Sequence, residues 1–294
     1  MTSDALNAFT RQKDFFVGID SDGCAFDSME IKHKECFIPN FINHWNLQAV
    51  SSLARQTWEF VNLYSHWRGC NRFPALLLSL DLLGERPEAI DRGFALPRID
   101  SLRDWVKREK ALGNPALSRE VEAAGDAVLR QALDWSKGVN ADVAKIVRNL
   151  PPFPQVKPCL EKLLPAADIV VVSSTPGEAL QREWAEHDIA RFTRLIAGQE
   201  MGTKKELLRL CAADKYDADR VIMIGDAPGD LQAAKDNGAL FFPICPAREN
   251  DSWRRFHDEG IDRFQAGTFR GAYEDRLIEE FTALLPTVPP WKKE

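Results

Sequence analysis

Five short apolar runs constrain this 294-residue chain more than any other feature. FFVGID stands alone near the start, while DIVVVSS, RLIAG, RVIMIG and ALFFPI all follow residue 167, separated by helix-patterned segments such as EALQREWAEH, KKELLRLCAA and DLQAAKDNG. Near-continuous Val, Ile, Leu and Phe runs alternating with helices predict a parallel sheet covered on both faces, a doubly wound α/β core. Between the first run and the rest the period changes. Leu47, Val50, Ala54, Trp58 and Val61, then Leu117, Val121, Ala124, Val128, Ala132 and Trp135, recur at helical spacing, and no strand pattern interrupts them. The proline-rich stretch LPPFPQVKP cannot continue a helix and reads as the linker back to the core. The expected organisation is a core of residues 1–27 and 157–294 with an all-helical insertion of residues 28–156. Two final helices, around Ser252 to Glu259 and Tyr273 to Leu285, are expected to pack on the sheet.

In an open parallel sheet reactive groups gather at the carboxyl ends of strands, so polar residues that directly follow the apolar runs are the candidates for chemistry. Asp20 and Asp22 follow the first run, and two carboxylates across a turn can serve as a nucleophile and a proton donor and acceptor. Ser173, with Ser174 and Thr175, ends DIVVVSS and can offer a hydroxyl to a phosphoryl oxygen. Asp226 in VIMIGDAPGD can bind a divalent cation, and Asp230 can orient its neighbours. Lys204 or Lys205, opening the helix after RLIAGQEMGT, can supply positive charge. Each alone also has an ordinary explanation as a turn, a helix cap or solvated surface; the four in this order, each after a strand-length apolar run, point to one site.

Asp20-Ser21-Asp22-Gly23, Ser173 after a hydrophobic strand, Lys204, and Gly225-Asp226-Ala227-Pro228-Gly229-Asp230 together resemble the motifs of the haloacid dehalogenase superfamily. Phe26-Asp27-Ser28 resembles the hinge leading to a helical cap inserted after the first motif. The resemblance implies a Rossmann-like core with an inserted cap, and nucleophilic attack by Asp20 on phosphorus to form an aspartyl-phosphate. Asp22 would then protonate the leaving alcohol and later activate water. Mg²⁺ would be held by Asp20, the backbone carbonyl of Asp22, and Asp226. Lys204 and Ser173 would hold phosphoryl oxygens, with Asp230 steadying Lys204 or a metal-bound water. Lys204 fits the phasing of the resemblance better than Lys205. Converging carboxylates and a phosphate dianion would also require compensating cations on electrostatic grounds.

Cys24 departs from the pattern, standing where Thr or Val is usual, and is expected to pack behind the loop. The second acid, Asp22, favours phosphate-ester chemistry over dehalogenation. A sugar-phosphate mutase and a non-catalytic binding protein on the same fold remain alternatives. Substrate choice would reside in the cap, where Lys32, His33 and Lys34 follow the hinge, and Arg68 and Arg72 are flanked by Trp67 and Phe73; Ser174, Arg68 and Arg72 are the candidate substrate contacts. The cap tryptophans Trp45, Trp58, Trp67 and Trp105 are read as packing residues. A net charge of −6 argues against non-specific nucleic-acid binding. There is no membrane-length apolar run, and the beginning of the chain is too polar for a signal peptide. Six scattered cysteines suggest reduced thiols. A cytoplasmic enzyme acting on a small phosphorylated metabolite is the expectation.

Overall fold

A computed structural model of the chain describes residues 6 and 8–292. It divides into two units: Met1–Met29 with Asn149–Leu285, and Glu30–Arg148 with Pro286–Glu294. The first is built on five parallel strands, β1 (Phe15–Ile19), β2 (Ala167–Val172), β3 (Leu195–Ala197), β4 (Val221–Gly225) and β5 (Leu240–Pro243), in the order β3-β2-β1-β4-β5. Val17 lies between Ile169 and Ile222, and Ile19 between Val171 and Ile224. Alternate side chains enter two separate apolar layers. Val17, Ile19, Ile169, Val171, Ile222 and Ile224 pack with Leu160, Trp184, Trp253 and Phe256, while Phe16, Val170, Val172 and Met223 pack with Leu207, Leu208 and Phe281. Burial on both faces explains the absence of a polar alternation in these runs. This is the doubly wound, Rossmann-like architecture that the sequence predicts.

The strand order places β1 centrally between β2 and β4, so the segments leaving their carboxyl ends emerge side by side. Several boundaries differ from expectation. The proline-rich stretch belongs to the α/β unit: Phe153 N donates to Ala25 O at 3.0 Å, and Phe26 forms an isolated bridge with Pro152. Extended backbone with exposed donors finds partners in the loop after β1 and so does not hang free as a linker. The terminal segment from Pro286 groups with the helical unit, where His66 N donates to Pro286 O and Trp291 meets Phe60 edge-on at 5.4 Å. The first of the two final helices is longer than expected. Glu249–Arg255, a π-helical turn Phe256–Gly260 and Ile261–Gln265 run on without a break.

The helical unit contains no strand among its described residues. Its core gathers Phe37, Phe41, Trp58, Phe73, Trp105 and Trp135, with Trp58 and Trp135 rings 5.8 Å apart. The periodic stretch from Leu117 to Trp135 is two helices, Asn114–Ala124 and Ala127–Ile146. Gly125 at φ 64° ends the first, and the Asp126 side chain accepts from Val128 N and Leu129 N to start the second. Among the described residues no helix is long and apolar enough to cross a membrane.

Candidate active site

Asp20 follows β1 and keeps its ladder contact, its N–H donating to Ile224 O at 3.0 Å. The carboxylate is fixed on both oxygens: Oδ1 accepts from Ser21 N at 2.7 Å and Oδ2 from Lys204 Nζ at 2.6 Å. The chain then turns sharply through Gly23 at φ 73°, a conformation that suits glycine, with Gly23 N donating to Phe26 O. Two buried indoles brace this loop. Trp184 Nε1 donates to Ser21 Oγ, and Trp253 Nε1 donates to Cys24 O at 2.7 Å. Cys24 packs behind the loop with its thiol toward Ile224 O. Burial, and then the charges of Asp226, Asp20 and Asp230, push that thiol well above its ordinary pKa, so it is no nucleophile.

Asp22 is positioned by two hydroxyls, accepting from Thr175 Oγ1 on one oxygen and from Ser28 Oγ on the other. Ser173, at the end of β2, is 2% exposed, and its Oγ accepts from Thr175 N at 3.3 Å. Ser174 is exposed. The loops after β2 and β3 approach so closely that a Cβ on Gly198 would lie 2.5 Å from Gly177 N and 2.7 Å from Thr175 O.

Lys204 occupies the first turn of the helix Lys204–Ala212, which is set by a capping box: Thr203 Oγ1 accepts from Glu206 N, and Thr203 N donates to Glu206 Oε2. Its ammonium bridges Asp20 and Asp230, 2.6 Å from each. Asp230 begins the helix Pro228–Asp236 and also accepts from Ala227 N. Gly225 makes room for it, since a Cβ there would come within 2.4 Å of the Asp230 side chain. Lys205 is exposed and pairs with Asp236 at 2.8 Å, so Lys204 is the lysine brought to the acids.

Asp20, Asp226 and Asp230 are all buried, and each offers a carboxylate oxygen within 4.8 Å of the others. Burial is the largest influence on Asp20; Lys204 opposes it and Asp230 and Asp226 add to it, so its pKa is pushed up to about 8. Burial alone would lower the Lys204 pKa, but Asp20 and Asp230 together raise it above the usual lysine value, and it stays charged. Lys204 pairs with two of the three carboxylates, Asp20 and Asp230, and Asp226 lies beside them. Hard oxygen donors in that arrangement suit a divalent cation such as Mg²⁺.

The structure thus brings together Asp20, Asp22, Ser173, Lys204, Asp226 and Asp230. Arg68 and Arg72 lie in the helical unit, Arg68 3% exposed and donating from Nη1 to Leu63 O. Sequence reasoning missed the part played by Ser28 and Thr175, which hold Asp22; their only signal was a hydroxyl beside each motif. It also missed Gly225, whose signal was a glycine directly before the strand-end acid.

The haloacid dehalogenase-like hydrolase family matches residues 116–243, a span that holds Ser173, Lys204, Asp226 and Asp230 and leaves Asp20 and Asp22 outside. A phosphoglycolate phosphatase of Vibrio parahaemolyticus serotype O3:K6 is 26% identical over 180 residues, covering 50% of this chain and 78% of that protein. Among solved structures, a Haemophilus somnus protein described as a predicted phosphoglycolate phosphatase aligns with a TM-score of 0.46 at 16% identity, over 79% of this chain and 86% of its own. A haloacid dehalogenase-like hydrolase of Streptococcus pneumoniae aligns with a TM-score of 0.48 at 13% identity, over 82% and 90%.

Proposed function

We propose that this chain, which is similar to the haloacid dehalogenase-like hydrolases over residues 116–243, is a Mg²⁺-dependent, cytoplasmic phosphatase that hydrolyses a small phosphorylated metabolite through a phosphoryl group carried on Asp20. The observation that carries this reading is the pairing of two differently held acids. Asp20 is fixed by Ser21 N and Lys204, while Asp22 is fixed by Ser28 and Thr175. An Asp20 oxygen bonds to phosphorus as the ester P–O bond breaks, and Asp22 gives its proton to the departing alkoxide. Asp22 then takes a proton from the water that attacks the phosphorylated Asp20, releasing inorganic phosphate and restoring the carboxylate.

Lys204 and the Ser173 hydroxyl hold the phosphoryl oxygens, and Asp230 keeps Lys204 aimed. Asp20, Asp226 and the backbone carbonyl of Asp22 would hold Mg²⁺, which supplies charge neutralisation between the nucleophile and the phosphate. Ser174, exposed beyond Ser173, is assigned to the substrate. Free cysteines at all six positions suit a reducing compartment.

The test is phosphate release from sugar phosphates, short organic phosphates and an aryl phosphate, with and without Mg²⁺. Release that needs the metal and disappears in Asp20→Asn is expected. Redistribution of phosphate between positions of one sugar, without release, would replace the hydrolase by a mutase. Metal-independent release, or release retained in the variant, would overturn the reading.

A further inference from the structure

The segment Pro286–Lys292 belongs to the helical unit although nearly 140 residues of chain separate it from the rest of that unit. It is seated at few points. Pro286 O accepts from His66 N at 3.2 Å, Pro289 is buried and Trp291 is half-buried, while Thr287, Val288, Pro290 and Lys292 are exposed. Trp291 sits in a short turn closed by Lys292 N donating to Pro289 O at 3.0 Å. Its indole meets the edge of Phe60 at 5.4 Å, and the Arg86 guanidinium covers its face, 4.4 Å from the centroid. Trp67 lies 6.1 Å from Phe60 and packs on the same apolar cluster as Trp291. Beside the ring, Lys292 pairs with Glu85.

The two sides are matched as ligand and receptor. Pro286, Pro289 and Pro290 restrict the segment before it is seated and bring no N–H groups to desolvate, so ordering it costs little. The receiving surface offers an aromatic edge, a guanidinium face and an acid, a set complementary to an indole followed by an ammonium. The seat is nevertheless imperfect. Among the described residues neither Trp291 Nε1 nor Arg86 Nε has a hydrogen-bond partner, although both atoms are buried. Glu88 approaches Arg86 Nε only to 3.9 Å, beyond hydrogen-bond reach. Lifting the indole away would return both donors to water, which offsets part of the lost apolar burial, and the exposed Lys292–Glu85 pair adds little. Such a segment opens more readily than the helices beneath it.

We propose that the surface formed by Phe60, Trp67, Glu85 and Arg86 is a peptide-docking site for proline-rich sequence carrying Trp-Lys, and that Pro286–Lys292 of this chain is its ligand, exchanging between docked and released forms. Phe60 and Arg86 hold the indole, and Glu85 selects the lysine that follows it. The site lies wholly within the helical unit and is independent of the phosphatase reading.

The first test uses the unaltered chain. The His66 amide, whose acceptor is Pro286 O, reports docking, and native-state hydrogen exchange read by NMR should find it opening at least about tenfold more often than the amides of the helix Ser51–Leu63. Opening only together with that helix overturns the exchange between forms. The second test empties the site with Trp291→Ala and adds a fluorescein-labelled peptide of residues 286–292. The peptide is expected to bind the variant at least about tenfold more tightly than wild type, whose own segment competes at high effective concentration. The same peptide carrying Trp291→Ala should not bind, and Glu85→Lys added to the protein variant should weaken binding severalfold. No binding to folded Trp291→Ala, or equal binding to variant and wild type, overturns the site. Thermal melts identify a variant that does not fold, in which case Trp291→Leu, which keeps an apolar side chain without the ring, takes its place with the same expected outcome. A wild-type dimer in light scattering that disappears in the variant would put a second copy's segment in the site and overturn the assignment to the chain's own.

Discussion

In the α/β unit three carboxylates, Asp20, Asp226 and Asp230, crowd one ammonium, whereas in the helical unit one guanidinium, Arg72, lies against three neutral acceptors and no described carboxylate. Asp168 shows what a purely structural buried charge looks like. At the start of β2, away from the strand-end acids, it accepts from Gln12 N, Lys13 N, Tyr216 Oη and Arg194 Nη1. Burial raises its pKa, but those donors outweigh it and hold the carboxyl below its ordinary value. A charge that the fold itself satisfies needs no ligand. Asp20, Asp226 and Asp230 instead converge on one another, with Lys204 paired to two of them, an arrangement that fits a divalent cation.

The comparison can be broken by removing Lys204, the cation paired with Asp20 and Asp230. Lys204→Met leaves buried carboxylates without their ammonium, and we expect loss of turnover together with a stability decrease of about 3–5 kcal/mol in the metal-free protein, read by chemical denaturation. Retained stability would mean that the acids are neutral without the lysine. Asp22→Asn keeps the shape but not the proton. It should slow hydrolysis of alkyl phosphates by roughly 10²–10⁴-fold and that of an aryl phosphate with an acidic leaving group much less, since that leaving group needs no proton. An equal loss on both would assign Asp22 to something other than acid catalysis.

The smallest effect sharpens the reading of the acidic site. With its pKa raised to about 8, Asp20 is protonated below that pH in the metal-free protein, and a divalent cation needs the carboxylate. Binding therefore releases a proton, so Mg²⁺ affinity should rise by up to about tenfold per pH unit towards pH 8 and level off above it. Calorimetry across pH 6 to 9 reads this directly, and a flat profile would show that Asp20 is already ionised.

The α/β unit was legible because its chemistry sits at strand ends. A period change marks a strand end in one dimension, and the parallel topology then brings Asp20, Ser173 and Asp226 together whatever lies between them. The residues that tune the site were not legible, because their partners are fixed by backbone proximity that no spacing encodes. Nothing in the sequence pairs Thr175 with Asp22, or reserves Gly225 for the Asp230 side chain. The helical unit gave up less. Arg68 and Arg72 look alike in HWRGCNRF, and only the fold separates a guanidinium that bonds Leu63 O from one that bonds Ser136 and Asn140. The unit boundaries failed for a related reason: Phe153 and Trp291 are placed by long-range contacts, Phe153 to Ala25 and Trp291 to Phe60 and Arg86.

The claim on which the rest depends is that Asp20 becomes the phosphoryl carrier. Rapid acid quench of enzyme turning over a ³²P-labelled phosphate ester, followed by peptide mapping, tests it most directly. The account predicts label on the peptide that contains Asp20, released by hydroxylamine as an acyl phosphate and absent in Asp20→Asn. Label on Ser173, or turnover with no labelled protein and no dependence on Asp20, would contradict it.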